Sequence, residues 1–382
     1  MIARSTPPGS LDLPALNGAN PLGFLAALGT LVTARRAGEA EARLRWRRAV
    51  TWVPVLEHIS ACNPGALSAM VAEALRGRTV SDEEEKHRVE TQRAFDAAKK
   101  TVEDKKREIR TRGLRGKDRT EAIEAEVRPL EPDRDQKRRQ WLDALKKAVS
   151  RPELAVGKHV DCNDVEYRDH AATFLEGSGQ ADREALDLLA AFGSDACLEK
   201  SGRIVATPFC FIKGSGQQYF LDTVRQLMEL ATLERVRQTL FESWEYRDEK
   251  LSMRWDPIEA RRYALMDRDP TASGNESCTM WMANLLAYRA LVLFPSAPRR
   301  GRLVTTAWDQ AGENPTFTWP MWEQPAHPDT IRSILQLSEL GTARPDRSIL
   351  RARGVVAAFR ASRIRVGTGS NYKVNFSPAR GV

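Results

Sequence analysis

Cysteine is scarce in this sequence and never occurs in closely spaced pairs. The five cysteines lie at positions 62, 162, 197, 210 and 278, and no two of them form a C-x-x-C motif. A few scattered thiols, odd in number, do not indicate a disulfide framework or a zinc ribbon. The one mixed group of candidate metal ligands, His159, Cys162 and His170, fits no standard zinc spacing and lacks a fourth ligand. We therefore expect no bound metal and a reducing, cytoplasmic environment.

Long apolar runs and recognisable catalytic motifs are absent as well. No segment has the roughly 20 consecutive apolar residues that a membrane helix needs, and the first eight residues lack the apolar core of a signal peptide. The phosphate-binding pattern GxxxxGKS/T does not occur. No histidine has an evident nucleophile partner, and there is no convincing pair of carboxylates. The sequence thus predicts no membrane association, no cofactor and no catalytic residues.

The composition that is present suits a large globular core. The chain has 382 residues, of which 42% are hydrophobic and 29% charged. The pattern of short apolar runs and helical stripes predicts an α+β fold of two lobes, with short mixed or antiparallel sheets and packed helices. We predict four regions: residues 1–80 begin the first lobe, 81–150 are an inserted helical hairpin, 151–250 complete the first lobe and 251–382 form a C-terminal lobe.

The predicted insertion differs from the rest of the chain in composition. Charged residues of both signs are interspersed along it, while Phe95, Val102 and Ile109 recur every seven residues. Such a narrow apolar seam is typical of a helix that packs against one partner. We predict a protruding pair of helices around a turn at 113–118, and solvation of its surface is sufficient to explain its charges.

The first strong helix signal lies near the N-terminus. Asn20 is a good N-cap residue, Pro21 suits the first helical turn, and leucines follow at helical spacing. Gly23 and Gly29 within this apolar helix indicate that another backbone passes close by. Far along the chain, Trp319 and Trp322 end a predicted strand, where we expect tryptophan to belong to the core.

A glycine-containing turn is the first of two candidate anion sites. Phe209–Ile212 has the pattern of a short buried strand, and an amphipathic helix is predicted from Gln217. A turn that feeds a helix N-terminus presents free N–H groups to a phosphate or carboxylate. We therefore predict nucleic-acid contacts from Lys213, Gly214, Ser215, Gly216 and Gln217. A tight strand-to-helix connection without a ligand would explain the same residues.

The second candidate site lies in the C-terminal segment, which carries the whole excess of positive charge. From residue 344 onward there are nine lysines and arginines and one acid, Asp346, so the segment contributes 9 − 1 = +8, equal to the net charge of the protein. Such asymmetry favours a polyanionic partner.

A predicted hairpin, 355–366 with 371–376, carries part of this charge. Alternation along its strands puts Arg363 and Arg365 on one face and Ile364 and Val366 on the other, and it likewise separates Lys373 from Val374. We predict one basic face and one apolar face. The predicted contacts with nucleic acid are Arg360, Arg363, Arg365 and Lys373, with Arg261 and Arg262 at the edge of the same groove. A charged edge that merely resists strand addition is the alternative.

Four motifs together give the chain a resemblance to a known family. They are Leu16-Asn-Gly-Ala-Asn-Pro-Leu-Gly-Phe-Leu-Ala-Ala-Leu-Gly29, the turn from Gly214 to Asp222, Met253-Arg-Trp-Asp-Pro257 with Arg262-Tyr-Ala264, and Phe317-Thr-Trp-Pro-Met-Trp322. They resemble CRISPR-associated proteins of type I-G loci, in the family described as an extension of the helicase-nuclease. The first motif is also similar to the N-terminus of the large subunits of such Cascade-type complexes.

The resemblance implies a component of RNA-guided antiviral defence that binds crRNA or target DNA beside other subunits, including the helicase-nuclease. In such complexes the large subunit reads the short flanking motif and helps to open the duplex, while the guide reads the sequence. The resulting hypothesis is a non-catalytic nucleic-acid-binding subunit. A metal-dependent nuclease or phosphodiesterase is one alternative, which metal-dependent cleavage would favour. An adaptor that recruits the helicase-nuclease is another, which salt-insensitive association with a protein and no nucleic-acid binding would favour.

Overall fold

The protein has an α+β fold in which helices pack with several small antiparallel sheets, as predicted. The computed structural model describes residues 9–176, 179–212, 218–257, 278–366 and 373–382. The chain divides into two compact units. The first contains Met1–Gly77 and Lys158–Val382, and the second is Arg78–Gly157. The segment predicted as an insertion falls within the second unit, whereas the predicted regions 151–250 and 251–382 are not separated at residue 251.

The first unit begins with a small sheet and a buried helix. The elements are β1 (Ser10–Asp12), α1 (Pro21–Arg36), β2 (Arg43–Arg48), β3 (Trp52–Glu57) and α2 (Pro64–Arg76), and the strand order is β1-β3-β2. The side chain of Asn20 accepts hydrogen bonds from the N–H groups of Leu22 and Gly23 and caps α1, as predicted. Because its residues are apolar on nearly every side, almost the whole of α1 is buried.

The second unit is helical. It contains α3 (Asp82–Thr111), α4 (Gly116–Glu126) and α5 (Glu131–Lys147), with 3₁₀ turns at Arg128–Leu130 and Pro152–Val156. The predicted seam is confirmed, since Phe95, Val102 and Ile109 are all buried. Phe95 stacks on Trp141 of α5 with ring centroids 5.4 Å apart, and Val102 and Ile109 share a cluster with Val127.

The chain then returns to the first unit. It forms α6 (Asp164–Leu175), α7 (Gln180–Phe192), α8 (Phe220–Glu229), α9 (Leu233–Phe241), β4 (Asp248–Glu249), β5 (Cys278–Thr279) and α10 (Trp281–Arg289). Phe209–Ile212 is buried as predicted but is not a strand, because turn-like hydrogen bonds such as Cys210 N–H to the Thr207 carbonyl (3.0 Å) replace a ladder. Helices α8 and α9 are separated at Thr232, whose side chain accepts a hydrogen bond from the N–H of Arg235 and caps α9.

The C-terminal part of the first unit supplies its largest sheet. Its elements are β6 (Ser296–Arg299), β7 (Arg302–Thr305), β8 (Trp308–Asp309), β9 (Thr316–Trp322), α11 (Pro328–Leu335), α12 (Arg347–Ala352), β10 (Val355–Val366), β11 (Lys373–Phe376) and β12 (Arg380–Gly381). The sheet order is β11-β10-β9-β8, with β12 also paired to β10. Strands β6 and β7 form a separate hairpin.

An aromatic core joins these parts of the first unit. Phe317 on β9 stacks on Trp319 with a centroid distance of 5.1 Å and lies 6.4 Å from Phe24 of α1. The indole N–H of Trp319 donates to the Gly18 carbonyl at 2.8 Å, and that of Trp322 donates to the Leu44 carbonyl at 2.7 Å. Both tryptophans are fully buried, so the prediction that they belong to the core is confirmed. Two of the four resembling motifs, Leu16–Gly29 and Phe317–Trp322, contribute to this packing, which explains much of their composition without a ligand.

Candidate nucleic-acid interface

Only part of the predicted site falls within the described residues. Arg360, Arg363, Arg365 and Lys373 are described, whereas Lys213–Gln217, Arg261 and Arg262 lie outside the described residues. The predicted groove that joins the glycine turn to the C-terminal hairpin therefore stays a prediction. The described residues next to these predicted contacts are the C-terminal sheet and the start of α8.

The start of α8 has two N–H groups that are already hydrogen-bonded within the protein. The helix begins at Phe220 rather than Gln217, and the N–H groups of Leu221 and Asp222 donate to the carbonyl of Lys158 at 2.9 and 3.1 Å. Two of the N–H groups that a helix leaves unpaired at its N-terminus are thus already satisfied by the protein. These two donors are not available to a phosphate, and the predicted contacts at Lys213–Gln217 stay a prediction.

The register of β10 and β11 rules out a single basic face on the C-terminal hairpin. Arg363 pairs with Phe376, Arg365 with Val374, and Val366 with Lys373. Residues directly opposite each other in an antiparallel pair project from the same face. Lys373 therefore shares a face with Val366, and the two arginines share theirs with Val374 and Phe376. The prediction of one basic and one apolar face is wrong for this hairpin.

The two arginines at the end of β10 differ in their surroundings. The guanidinium of Arg363 lies 5.2 Å from the ring centroid of Phe211, and this ring is 4.9 Å from that of Phe376. Arg363 is half-buried by this packing, whereas Arg365 is exposed. An arginine held over an aromatic ring gains a cation–π interaction within the fold. Arg365 is the better placed of the two for an external ligand.

Arg360 is a buried structural residue. Only 7% of its surface is exposed. Its Nε donates a hydrogen bond to Thr318 Oγ1 at 2.8 Å. Its other two nitrogens donate to the carbonyls of Leu340 at 3.0 Å, Thr342 at 2.6 Å and Ala343 at 3.3 Å. Burial lowers the pKa of this guanidinium, Arg380 on β12 lowers it further, and Asp309 opposes the decrease. The prediction of Arg360 as a direct contact is corrected, because its donors already serve the protein.

What Arg360 does is hold the loop that leads to a different group of arginines. Four exposed arginines lie directly after that loop, on and around α12. We call this group, which consists of Arg344, Arg347, Arg351 and Arg353, the arginine segment. None of the four forms an ion pair within the described part of the chain. Asp346, the one acid within residues 344–353, accepts hydrogen bonds from the N–H groups of Ser348 and Ile349 and caps α12. Arg347 and Arg351 are one helical turn apart, so they lie on the same side of α12.

Sequence reasoning counted these arginines in the charge excess but did not select them. The signal was available, since they make up four of the nine cations after residue 343. What the sequence did not show is which of the nine cations are exposed.

Two features, a metal-binding cluster and a membrane-spanning helix, are absent from the described residues. No group of three or more His, Cys, Asp or Glu side chains is arranged to hold a metal ion in the parts of the chain that the structure describes. Likewise, none of the helices described above is both long and apolar enough to cross a bilayer.

Comparison with known proteins adds no family assignment: no protein-family model matches the chain, and no curated protein matches it significantly.

Proposed function

We propose that this protein is a non-catalytic nucleic-acid-binding subunit of a type I CRISPR surveillance complex. It binds the backbone of crRNA or target DNA beside other subunits of the complex and its helicase-nuclease, with the flanking motif as a further candidate ligand. The CRISPR context rests on the resemblance of the four motifs. The observation that carries nucleic-acid binding is the exposed arginine segment within a C-terminal region of charge +8.

The physical basis is the attraction of guanidinium groups to phosphates. Each phosphate that a protein cation neutralises releases condensed counterions, so the logarithm of the binding constant falls by about 0.7–0.9 per tenfold rise in salt for each contact. Exposed arginines without carboxylate partners lose no internal ion pair when they bind a phosphate. Such contacts give affinity with little dependence on base sequence.

The test removes the arginine segment and measures binding over a salt series. The variant changes four residues to Ala, namely Arg344, Arg347, Arg351 and Arg353. Binding to unrelated single- and double-stranded sequences is measured with the pure protein and with the assembled complex. If all four contact phosphates, the slope against the logarithm of salt should fall by roughly three. The matched control removes four exposed cations of the second unit, Lys100, Arg110, Arg115 and Arg119, each of which also lacks an ion pair within the described residues.

The expected result is weaker binding of the arginine-segment variant to every sequence, with the control close to the wild type. Equal affinity and equal slope for wild type and variant would remove the main support for nucleic-acid binding. Incubation with magnesium or manganese in the same experiment addresses catalysis. We expect no cleavage, and cleavage that survives repurification would replace this proposal with the nuclease alternative.

A further inference from the structure

The hairpin of β6 and β7 ends in a tight turn built from arginine and glycine. Arg299 pairs with Arg302, so the loop has two residues, Arg300 and Gly301. Their φ angles are +51° and +73°. Positive φ at both loop positions is the geometry that a two-residue hairpin prefers, because it matches the twist of the strands. Glycine adopts this geometry readily, whereas an arginine there is unusual.

The base of this hairpin is fixed to the core. The hydroxyl of Ser296 donates to the Ala191 carbonyl at 3.2 Å and lies 2.7 Å from the hydroxyl of Thr305. Leu303 is buried beside them, and Thr306 N–H donates to the Pro295 carbonyl at 3.0 Å. The strands are therefore held in one register and direction.

The other end of the hairpin is exposed among the residues that the structure describes. All six residues from Ala297 to Arg302 are exposed. A Cβ built on Gly301 would meet no described atom within 4 Å. A base hydrogen-bonded to the core and an exposed tip make this hairpin a convex element of the described surface.

The charges at the tip repel one another. Arg299 and Arg302 are direct cross-strand partners and so project from the same face, with Arg300 between them along the chain. Like charges directly opposite each other destabilise a strand pair. No carboxylate among the described residues pairs with any of these three arginines. An anion bound at the tip would relieve the repulsion, and a guanidinium can bind a phosphate through two parallel hydrogen bonds.

We infer that the tip formed by Arg299, Arg300 and Arg302, none of which belongs to the arginine segment, binds phosphodiester groups of double-stranded nucleic acid. This inference rests on the proposed function, since it takes nucleic acid to be the partner. The convex shape decides between duplex and single strand. Single strands are usually held in a positively charged groove of the protein, whereas the major groove of a duplex, about 12 Å wide, admits a two-stranded β-ribbon.

The experiment compares charge-removing and charge-preserving variants of the tip in the full-length protein. The first variant changes Arg299, Arg300 and Arg302 to Ala, and the second changes the same residues to Lys. The matched control changes Lys100, Arg110 and Arg119 to Ala, which removes the same charge from the second unit. Each protein is titrated with a duplex and with a single strand of the same sequence over a salt series. Unchanged thermal melting establishes that the fold is intact.

The alanine variant should bind duplex roughly tenfold more weakly, with a salt slope lower by about two to three. The lysine variant should keep most of the slope but bind less tightly, because lysine does not form the bidentate contact. Single-strand binding and the control should stay near wild type. Wild-type duplex affinity and slope in the alanine variant would overturn this inference, and so would a loss confined to single strands.

The failure of this inference is distinguishable from the failure of the proposed function. If the wild type binds and the arginine-segment variant is impaired while the tip variant is not, the tip is no phosphate site and the proposed function stands. If the wild-type protein and its complex bind neither duplex nor single strand, both proposals fail together.

Discussion

At the scale of single residues, a buried carboxylate shows how hydrogen bonds can outweigh desolvation. Glu39 is only 7% exposed, and its oxygens accept hydrogen bonds from Ser60 N–H at 2.8 Å, Ser60 Oγ at 2.5 Å and Ala61 N–H at 2.9 Å. Burial by itself raises the pKa of Glu39, but these three bonds favour the charged form and hold its pKa below the ordinary value of 4.5. The carboxylate thereby connects the end of α1 to the segment that follows β3.

This balance predicts a pH-dependent contribution to stability. The pKa of Glu39 is lower in the folded than in the unfolded state. The contribution of the Glu39 carboxylate to the free energy of unfolding is therefore present above about pH 4.5 and is lost as the pH falls through the folded pKa. Glu39→Gln should cost about 1–3 kcal/mol at pH 7, the usual worth of hydrogen bonds to a charged group. Urea unfolding of the wild type and of Glu39→Gln should show that the difference between their free energies of unfolding decreases steadily below pH 4.5. A gap of constant size across that range would contradict the prediction.

The C-terminal arginines show which residue roles can be predicted from sequence. Strand alternation separates Arg360 from Arg363 and Arg365, so grouping all three as one basic surface conflicted with a rule available from the sequence. The burial of Arg360 could not be predicted from strand alternation. The carbonyls that bind it, those of Leu340, Thr342 and Ala343, come close to it only in the tertiary fold. The face of Lys373 also depends on register, and a shift of one residue moves a side chain to the other face.

At the scale of elements, helix α1 was the best-predicted part of the chain. Its N-cap and its close contact with another backbone both follow from local residue types, and a Cβ on Gly29 would lie 1.7 Å from the Leu286 carbonyl oxygen of α10. The sequence signalled a close backbone but not which one, since α10 lies more than 240 residues further along the chain. Strand pairing around β6 to β9 was harder, because neighbouring short strands pair with different partners. The two-residue turn before Arg302 pairs β7 with β6, whereas β8 pairs with β9.

The contact at Gly29 predicts a strong response to a single methyl group. Gly29→Ala should destabilise the protein by about 3 kcal/mol or more, because the carbonyl that it meets belongs to a buried helix backbone and has little room to move. The matched control is Gly65→Ala in the first turn of α2, where the nearest atom to the new Cβ is 3.4 Å away. That change should be neutral or stabilising by up to about 1 kcal/mol, as helix propensity implies. Equal melting temperatures for the two variants would show that α1 and α10 separate easily.

At the scale of the whole molecule, the two compact units explain how a highly charged segment coexists with a large apolar core. The second unit has apolar contacts of its own, in which Phe95 stacks on Trp141 and Val102 packs beside Val127. The ends of this segment meet, since the N–H of Arg78 donates to the carbonyl of Ser150 at 3.1 Å. A seven-residue apolar repeat together with a change of composition predicted a helical segment at 81–150, and this segment falls within the second unit. The sequence did not show that the other predicted regions form one compact unit. Their aromatic contacts, such as those of Phe317 with Phe24 and Phe209, form only in the folded chain.

The meeting of the ends at Arg78 and Ser150 predicts that the helical segment can be removed. Replacing residues 82–149 with a short flexible linker should leave the first unit folded, with a cooperative melt, because the linker spans a short gap and loop entropy changes only slowly with length. The arginine segment and the β6–β7 tip both belong to the first unit, so the shortened protein should also keep the nucleic-acid affinity and salt slope of the full chain. An insoluble product or a broad, non-cooperative melt would show that the helices belong to the core of the protein. A folded product that no longer binds would instead move the nucleic-acid contacts into the second unit, against the assignment of both arginine groups.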